Sequence, residues 1–163
     1  ANVQSAAFHI VPARTDADFH DAVRLFGAYA GTLGVDLSFQ NFEEELENMP
    51  GEYAPPKGEL LLARAADGEA IGCVALLPIE PAGCCEMKRL YVMRKGRQLG
   101  AGKALVDAII KIAVAEGYTE MRLDTLPSMA AALTLYAEVG FQRIKPYYAS
   151  PIPGAVFLSR PLP

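Results

Sequence analysis

A glycine-rich turn, Arg97-Gln98-Leu99-Gly100-Ala101-Gly102, is wedged between the strand-like run Lys88-Arg89-Leu90-Tyr91-Val92 and a long amphipathic stretch that stops at Gly117. A strand passed through glycines directly into a helix restricts the chain to folds that layer helices on a sheet. The same junction suits a phosphate. First-turn N–H groups have no acceptor inside the helix, and the helix dipole favours negative charge beside them. Which phosphorylated molecule docks there decides the function.

The rest of the chain reads consistently with that junction. Phe8 to Val11 is a short strand, and Thr15-Asp16-Ala17-Asp18 is a helix start with Thr15 as N-cap. The helix it opens carries Phe19, Val23, Phe26 and Ala30 at helical spacing and ends near Gly31 or Gly34. A second helix is expected from Phe39 to Met49, started by Ser38 and stopped by Pro50-Gly51, with a linker over Glu52 to Gly58. Strands Glu59–Ala65 and Ala70–Leu77 are joined through Asp67-Gly68, a hairpin signal. Cys85–Val92 is a further strand. The helix from Gly100 to Glu116 aligns Ala104, Leu105, Ala108, Ile109, Ile112 and Ala113 on one stripe. Strand Met121–Leu126, helix Ser128–Val139, strand Phe141–Tyr147, a Pro-rich loop over 148–154 and strand Ala155–Ser159 complete the order β-α-α-β-β-β-α-β-α-β-β. An α/β domain follows, a mixed sheet with helices on both faces.

At 163 residues the chain is expected to form one domain over 1–163, large enough to bury about 70% of its unfolded surface. No apolar run reaches the ~18 residues of a membrane span, and Ala1 to Val11 carries no secretory pattern. A net charge of −4 argues against nucleic-acid and anionic-membrane partners and suits a cationic amine. Cys73, Cys84 and Cys85 form no C-x-x-C, and the only histidines are His9 and His20, so no metal site is expected. The odd cysteine count fits a reducing cytoplasm.

Two familiar phosphate motifs fail at the turn. A Walker A loop needs glycine where Arg97 stands and Ser or Thr where Ala104 stands; the dinucleotide pattern needs glycine where Leu105 stands. What the turn resembles is the acyl-CoA motif of the GNAT N-acetyltransferases, Arg/Gln-x-x-Gly-x-Gly/Ala at a helix start, matched by Arg97, Gly100 and Gly102. Leu90-Tyr91-Val92 resembles the family's strand before the turn, and Leu135-Tyr136-Ala137-Glu138-Val139-Gly140-Phe141 its L-Y-x-x-x-G-F helix end. The element order from Phe8 to Leu158 is also similar to the family's.

The resemblance implies acetyl-CoA as acyl-donor cosubstrate. Its pyrophosphate would meet the backbone N–H groups of Gln98, Leu99, Gly100, Ala101, Gly102 and Lys103, with Leu90, Tyr91 and Val92 along the thioester arm. Glu86, eleven residues ahead of Arg97, stands at the offset of the catalytic glutamate in the histone-acetylating members; it is either the general base or a strand-end carboxylate paired with Lys88. Tyr136 matches the family tyrosine that protonates the leaving thiolate, and its ring also suits packing among Ala132, Leu135 and Val139. The Leu90 N–H is the implied oxyanion donor. Ser128 stands where many relatives have an asparagine contacting pantetheine, and N-capping alone also accounts for a serine there. Cys85 reads as a small buried hydrophobe rather than an acyl carrier.

In this family the acceptor site is built from the loop between the first two helices and the late C-terminal loop. Asp36, Phe39, Tyr147 and Tyr148 are the corresponding candidates here. They suit a small-molecule amine or amino acid first and a protein N-terminus or lysine second. A non-catalytic acyl-CoA-binding module is the rival class, and a homodimer is left open.

Overall fold

The computed structural model of the protein describes residues 7–34 and 41–163. Seven strands form one sheet: β1 (Phe8–Pro12), β2 (Glu59–Ala65), β3 (Ala70–Ile79), β4 (Cys84–Val92), β5 (Glu120–Thr125), β6 (Gln142–Arg143) and β7 (Val156–Pro161), in the spatial order β1-β2-β3-β4-β5-β7-β6. The helices are α1 (Asp16–Leu33), α2 (Phe42–Glu47), the single turn α3 (Arg94–Arg97), α4 (Ala101–Glu116) and α5 (Ala130–Glu138). None of the described helices is long and apolar enough to cross a membrane.

Alternation along β2 explains the two faces. Leu60 and Leu62 join Leu25 and Phe26 of α1 in one core, while Leu61 and Ala63 join Leu105 and Ile109 of α4 in the other. The mixed sheet with helices on both faces is the architecture expected from the element order.

Every strand pair is antiparallel except β4 with β5. That parallel pair is short: Cys84, Cys85 and Glu86 face Glu120, Met121 and Arg122, and the ladder stops there although β4 runs on to Val92. The cause is visible on the other side of β4. Cys73 pairs with Tyr91 and Ala75 with Lys88, so Val74 alone faces both Arg89 and Leu90. This β-bulge shifts the side-chain alternation by one. Met87 and Val92, of opposite parity, both enter the α4 core, while Tyr91 packs toward α1. The bulge bends β4 away from β5 and opens the sheet between them.

Several local expectations are corrected. A one-turn helix, α3, precedes the glycine turn, and Gly96 is its contact point: a Cβ there would lie 2.8 Å from Val92 Cγ1. The buried face of α4 is rotated from the expected stripe. Leu105, Ile109 and Ala113 are fully buried, but Val106 and Ile110 join them while Ala104, Ala108 and Ile112 are only half-buried. Ser128 is not an N-cap, because α5 starts two residues later after Met129 and has no side-chain cap. The expected strand Phe141–Tyr147 shrinks to the two residues of β6, Gln142 and Arg143, with Ile144 N–H adding one more bond to Phe157 O of β7 at 2.9 Å. The second helix is described only as Phe42–Glu47; Ser38, Asp36 and Phe39 lie outside the described residues.

Thr15 does cap α1, in a reciprocal box: Asp18 N–H donates to Thr15 Oγ1 at 3.1 Å and Thr15 N–H to Asp18 Oδ2 at 3.2 Å. The Asp18 carboxylate also accepts from Arg14 N–H (2.9 Å) and from Arg64 Nη2 of β2 (2.6 Å). The Arg14 N–H contributes most to holding its pKa down at about 2. An unfolded aspartate takes its proton near pH ~4, so this contribution is complete above that and is lost as pH falls toward about 2. Asp18→Asn is expected to lower the melting temperature at neutral pH and to flatten its acid decline over that window; a decline parallel to wild type in a pH-resolved thermal scan would refute the assignment.

Candidate active site

The bulge places an arginine in a backbone conformation that arginine seldom adopts. Arg89 has φ of 62°, in the left-handed region, and is 3% exposed. Its guanidinium donates to both carboxylate oxygens of Glu45 on α2, Nε to Oε2 at 3.0 Å and Nη2 to Oε1 at 2.9 Å. The Phe42 and Tyr29 rings lie 5.0 and 6.0 Å from it. The next residue, Leu90, stands at the mouth of the gap between β4 and β5.

Two spaces meet at that gap. An open cleft of about 330 Å3 runs past Tyr91, Val92, Arg97 and Gly102 on one side and Ser128 and Leu135 on the other. A tight chamber of about 40 Å3, room for a few waters, lies among Tyr29, Lys88, Arg89, Asp124, Tyr136 and Ile152. Leu90 and Met129 border both.

At the cleft's outer end, Gly100 takes a left-handed φ of 81° and starts α4 without a side-chain cap. The first intrahelical bond runs from Ala104 N–H to Gly100 O, so Ala101, Gly102 and Lys103 have N–H groups with no backbone acceptor among the described residues. Leu99 and Gly100 spend theirs on Gly96 O and Arg97 O. The free donors of the expected phosphate turn are therefore concentrated at its C-terminal half. Arg97 has a second task, donating from Nε to Val92 O at 2.9 Å and tying the turn to the end of β4. Lys103 pairs with Asp107 at 3.0 Å.

On the chamber side of the sheet, two tyrosines from the loop after β6 cap two carboxylates. Tyr147 Oη donates to Glu86 Oε2 at 2.5 Å, and Tyr148 Oη donates to Asp124 Oδ2 at 2.6 Å. Glu86 is 7% exposed, and burial raises its pKa above the ordinary glutamate range, opposed by Lys88 (Nζ at 3.7 Å) and the Tyr147 hydroxyl. Asp124 borders the chamber directly; Glu86 sits beneath Tyr147 and does not. Tyr136 is buried with its ring edge-on to Phe141 at 5.8 Å, and burial pushes its hydroxyl pKa upward, so it stays protonated at neutral pH. Packing and a chamber-facing position coexist in it. Burial pushes the Cys85 thiol up to about 12, which leaves it a packed hydrophobe and a poor nucleophile.

Of the residues singled out in the sequence, the structure gathers Leu90, Tyr91, Val92, Arg97, Gly102 and Ser128 along the cleft and Tyr136 at the chamber. Tyr147 and Tyr148 pack edge-on at 5.7 Å and face the sheet's carboxylates. Sequence reasoning missed Asp124, Tyr29 and the Glu45–Arg89 pair. Lys88, expected only as a partner of Glu86, does lie 3.7 Å from it and also borders the chamber. Nothing local could have joined Glu45 to Arg89, which are 44 positions apart.

The comparisons with known proteins show the family and the fold. The Acetyltransferase (GNAT) family model matches residues 19–141. An uncharacterized N-acetyltransferase of Schizosaccharomyces pombe is 45% identical over 141 residues, 86% of each chain. A GNAT-family acetyltransferase structure from Staphylococcus aureus superposes with a TM-score of 0.80 at 21% identity, covering 96% of this chain and 100% of that one. A candidate acyl-CoA N-acyltransferase from Klebsiella pneumoniae is 30% identical with a TM-score of 0.72, covering 96% of this chain and 99% of its own. The chain belongs to the GNAT family and is an N-acetyltransferase.

Folded Glu86 holds its proton more tightly than the unfolded chain does. Its contribution therefore favours the fold fully at acid pH and is lost as pH rises through the raised pKa, above 4.5. Glu86→Gln should remove that part of the decline in urea-measured stability. An unchanged slope would mean that the buried carboxyl titrates normally.

Proposed function

We propose that this N-acetyltransferase takes its acetyl group from acetyl-CoA and delivers it to the primary amine of a small molecule or amino acid in a cytoplasmic setting. The observation that carries the reading is the meeting of cleft and chamber at Leu90 and Met129. A donor held in the cleft would have its acyl end at the chamber, where Asp124 and Lys88 supply opposite charges and Tyr136 a hydroxyl. The site fits such a donor: among the described residues, Ala101, Gly102 and Lys103 offer N–H groups with no backbone acceptor, and beyond its chain neighbours nothing lies within 4 Å of where a Gly100 Cβ would project. The three cysteines are free and buried, which suits a reducing compartment.

Bound acetyl-CoA supplies an activated carbonyl and a thiolate leaving group. The chain's residues do the rest. The N–H groups of Ala101 to Lys103 take the pyrophosphate charge, and Leu90 N–H donates to the carbonyl oxygen as negative charge develops there. Glu86, its pKa raised by burial, accepts the proton of the attacking amine through a water beside Tyr147. Asp124 attracts the ammonium form of the acceptor. Tyr136 donates its hydroxyl proton to the departing sulfur. The narrow chamber supports a compact amine over a peptide.

Acetyl-CoA should raise the melting temperature, and free thiol should appear only with amines that are substrates. No stabilisation by acetyl-CoA would overturn the donor assignment, and turnover confined to peptide amines would overturn the acceptor class. At Gly102 a Cβ would meet only Leu135 and Val92, each at 3.7 Å, so Gly102→Val should abolish acetyl-CoA stabilisation while moving the free protein's Tm by no more than about 4 °C. Tyr136→Phe should lower kcat by roughly 100-fold with little change in acetyl-CoA affinity. Glu86→Gln should slow turnover and flatten its rise with pH; full activity across pH would make Glu86 structural.

A further inference from the structure

The backbone at Arg89 does what glycine usually does. Among the described residues only Asn41 and Arg89 are non-glycines with positive φ, and Asn41 is a polar residue at a helix start, where that conformation is common. In this region the Cβ of any L-residue crowds the carbonyl oxygen, a penalty of roughly tenfold in population. Something must hold Arg89 there, and its surroundings supply it. The guanidinium is seized at two points by Glu45, lies against Phe42 and Tyr29, and is 2% exposed; the residue's carbonyl accepts the Cys73 thiol at 3.2 Å. A planar fork on a carboxylate fixes both direction and distance, which a lysine would not do.

The bulge so held has a catalytic consequence. It ends the β4–β5 pairing, shifts the alternation of β4 by one residue, and sets Leu90 where cleft and chamber meet. Without it, β4 would continue in register and its faces would exchange beyond Lys88. We propose that the Glu45–Arg89 ion pair is the clamp that holds this bulge in its left-handed conformation, making both residues positioning residues for acetyl transfer. It ties the α1–α2 side of the site to the backbone that meets the thioester. The inference rests on the reading in which Leu90 N–H contacts the thioester carbonyl, but the conformation of the bulge can be followed without turnover.

The test uses Glu45→Gln, Arg89→Ala, Arg89→Gly and the double variant Glu45→Gln/Arg89→Gly, each in the full chain. Glycine adopts positive φ without a clamp and alanine does not, so the two substitutions separate backbone conformation from loss of the side chain. Glu45→Gln and Arg89→Ala should lower kcat by about 100-fold, the cost of a misplaced oxyanion donor, while acetyl-CoA affinity changes less than about twofold. Arg89→Gly should exceed Arg89→Ala in kcat by about tenfold, and the double variant should exceed Glu45→Gln. Amide hydrogen exchange over Lys88–Tyr91 should quicken in Glu45→Gln and Arg89→Ala and recover toward wild type in the glycine variants, whether or not an acceptor amine is known. A purely stabilising ion pair predicts the opposite order, with glycine no better than alanine and kcat preserved in every variant that folds. That order, or unchanged exchange in Glu45→Gln, would overturn the clamp. Unaltered exchange ranking with no thiol release by wild type on any amine would instead sink the functional reading alone.

Discussion

The rest of the molecule depends on one departure from regular pairing: β4 and β5 stay together for three residues and then part. A continuous parallel ladder would have sealed the sheet with backbone hydrogen bonds and left no gap. The extra residue at Arg89–Leu90 breaks that ladder from the β3 side, so the opening is created by register rather than by an inserted loop. Several of the candidate site residues then lie around the opening. The α4 N-terminus closes one end, α5 brings Tyr136 alongside, and Asp124 looks in from β5.

The charge pattern around that opening is economical in buried groups. Glu86 and Asp124 each receive a tyrosine hydroxyl from the same loop, and the Tyr147 and Tyr148 rings pack on each other and on Phe157. Two carboxylates that would be costly to bury unpaired are thereby satisfied by one rigid aromatic unit. Farther along β5, Glu120 is held ionised, its pKa lowered to about 2 chiefly by Arg122 and then by Ser159, and it has no share in the chamber. Adjacent carboxylates on one sheet face thus serve different ends according to their partners: Glu120 anchors β5 to β7, while Glu86 keeps a raised proton affinity near the site.

Much of this was legible in the sequence because its signals are local. Thr15 with Asp18 announces a helix start, Asp67-Gly68 a hairpin, and Gly100 with Gly102 a turn from strand to helix. Strand β2 has the bounds expected from the sequence, Glu59–Ala65. Other readings failed where a neighbour decides the outcome. Phe141–Tyr147 has the composition of a strand, yet only Gln142 to Ile144 bond to β7, and Tyr147 is drawn to Glu86 instead. The stripe on α4 was read one step off because the core accepts Val106 and Ile110 in preference to Ala104 and Ala108.

By itself the sequence determined most of the order of elements, the glycine turn at Gly100–Gly102 and the family to which those motifs belong. These follow from helix caps, glycine conformation and hydrophobic period, which act over a few residues. The tertiary structure alone decided where the sheet opens, which of the turn's N–H groups stay free, and which carboxylate borders the chamber. Each of those depends on contacts between residues far apart in the chain: Glu45 with Arg89, Glu86 with Tyr147, Asp124 with Tyr148. No periodicity encodes such pairings, because their energy exists only once the sheet has brought the two side chains together.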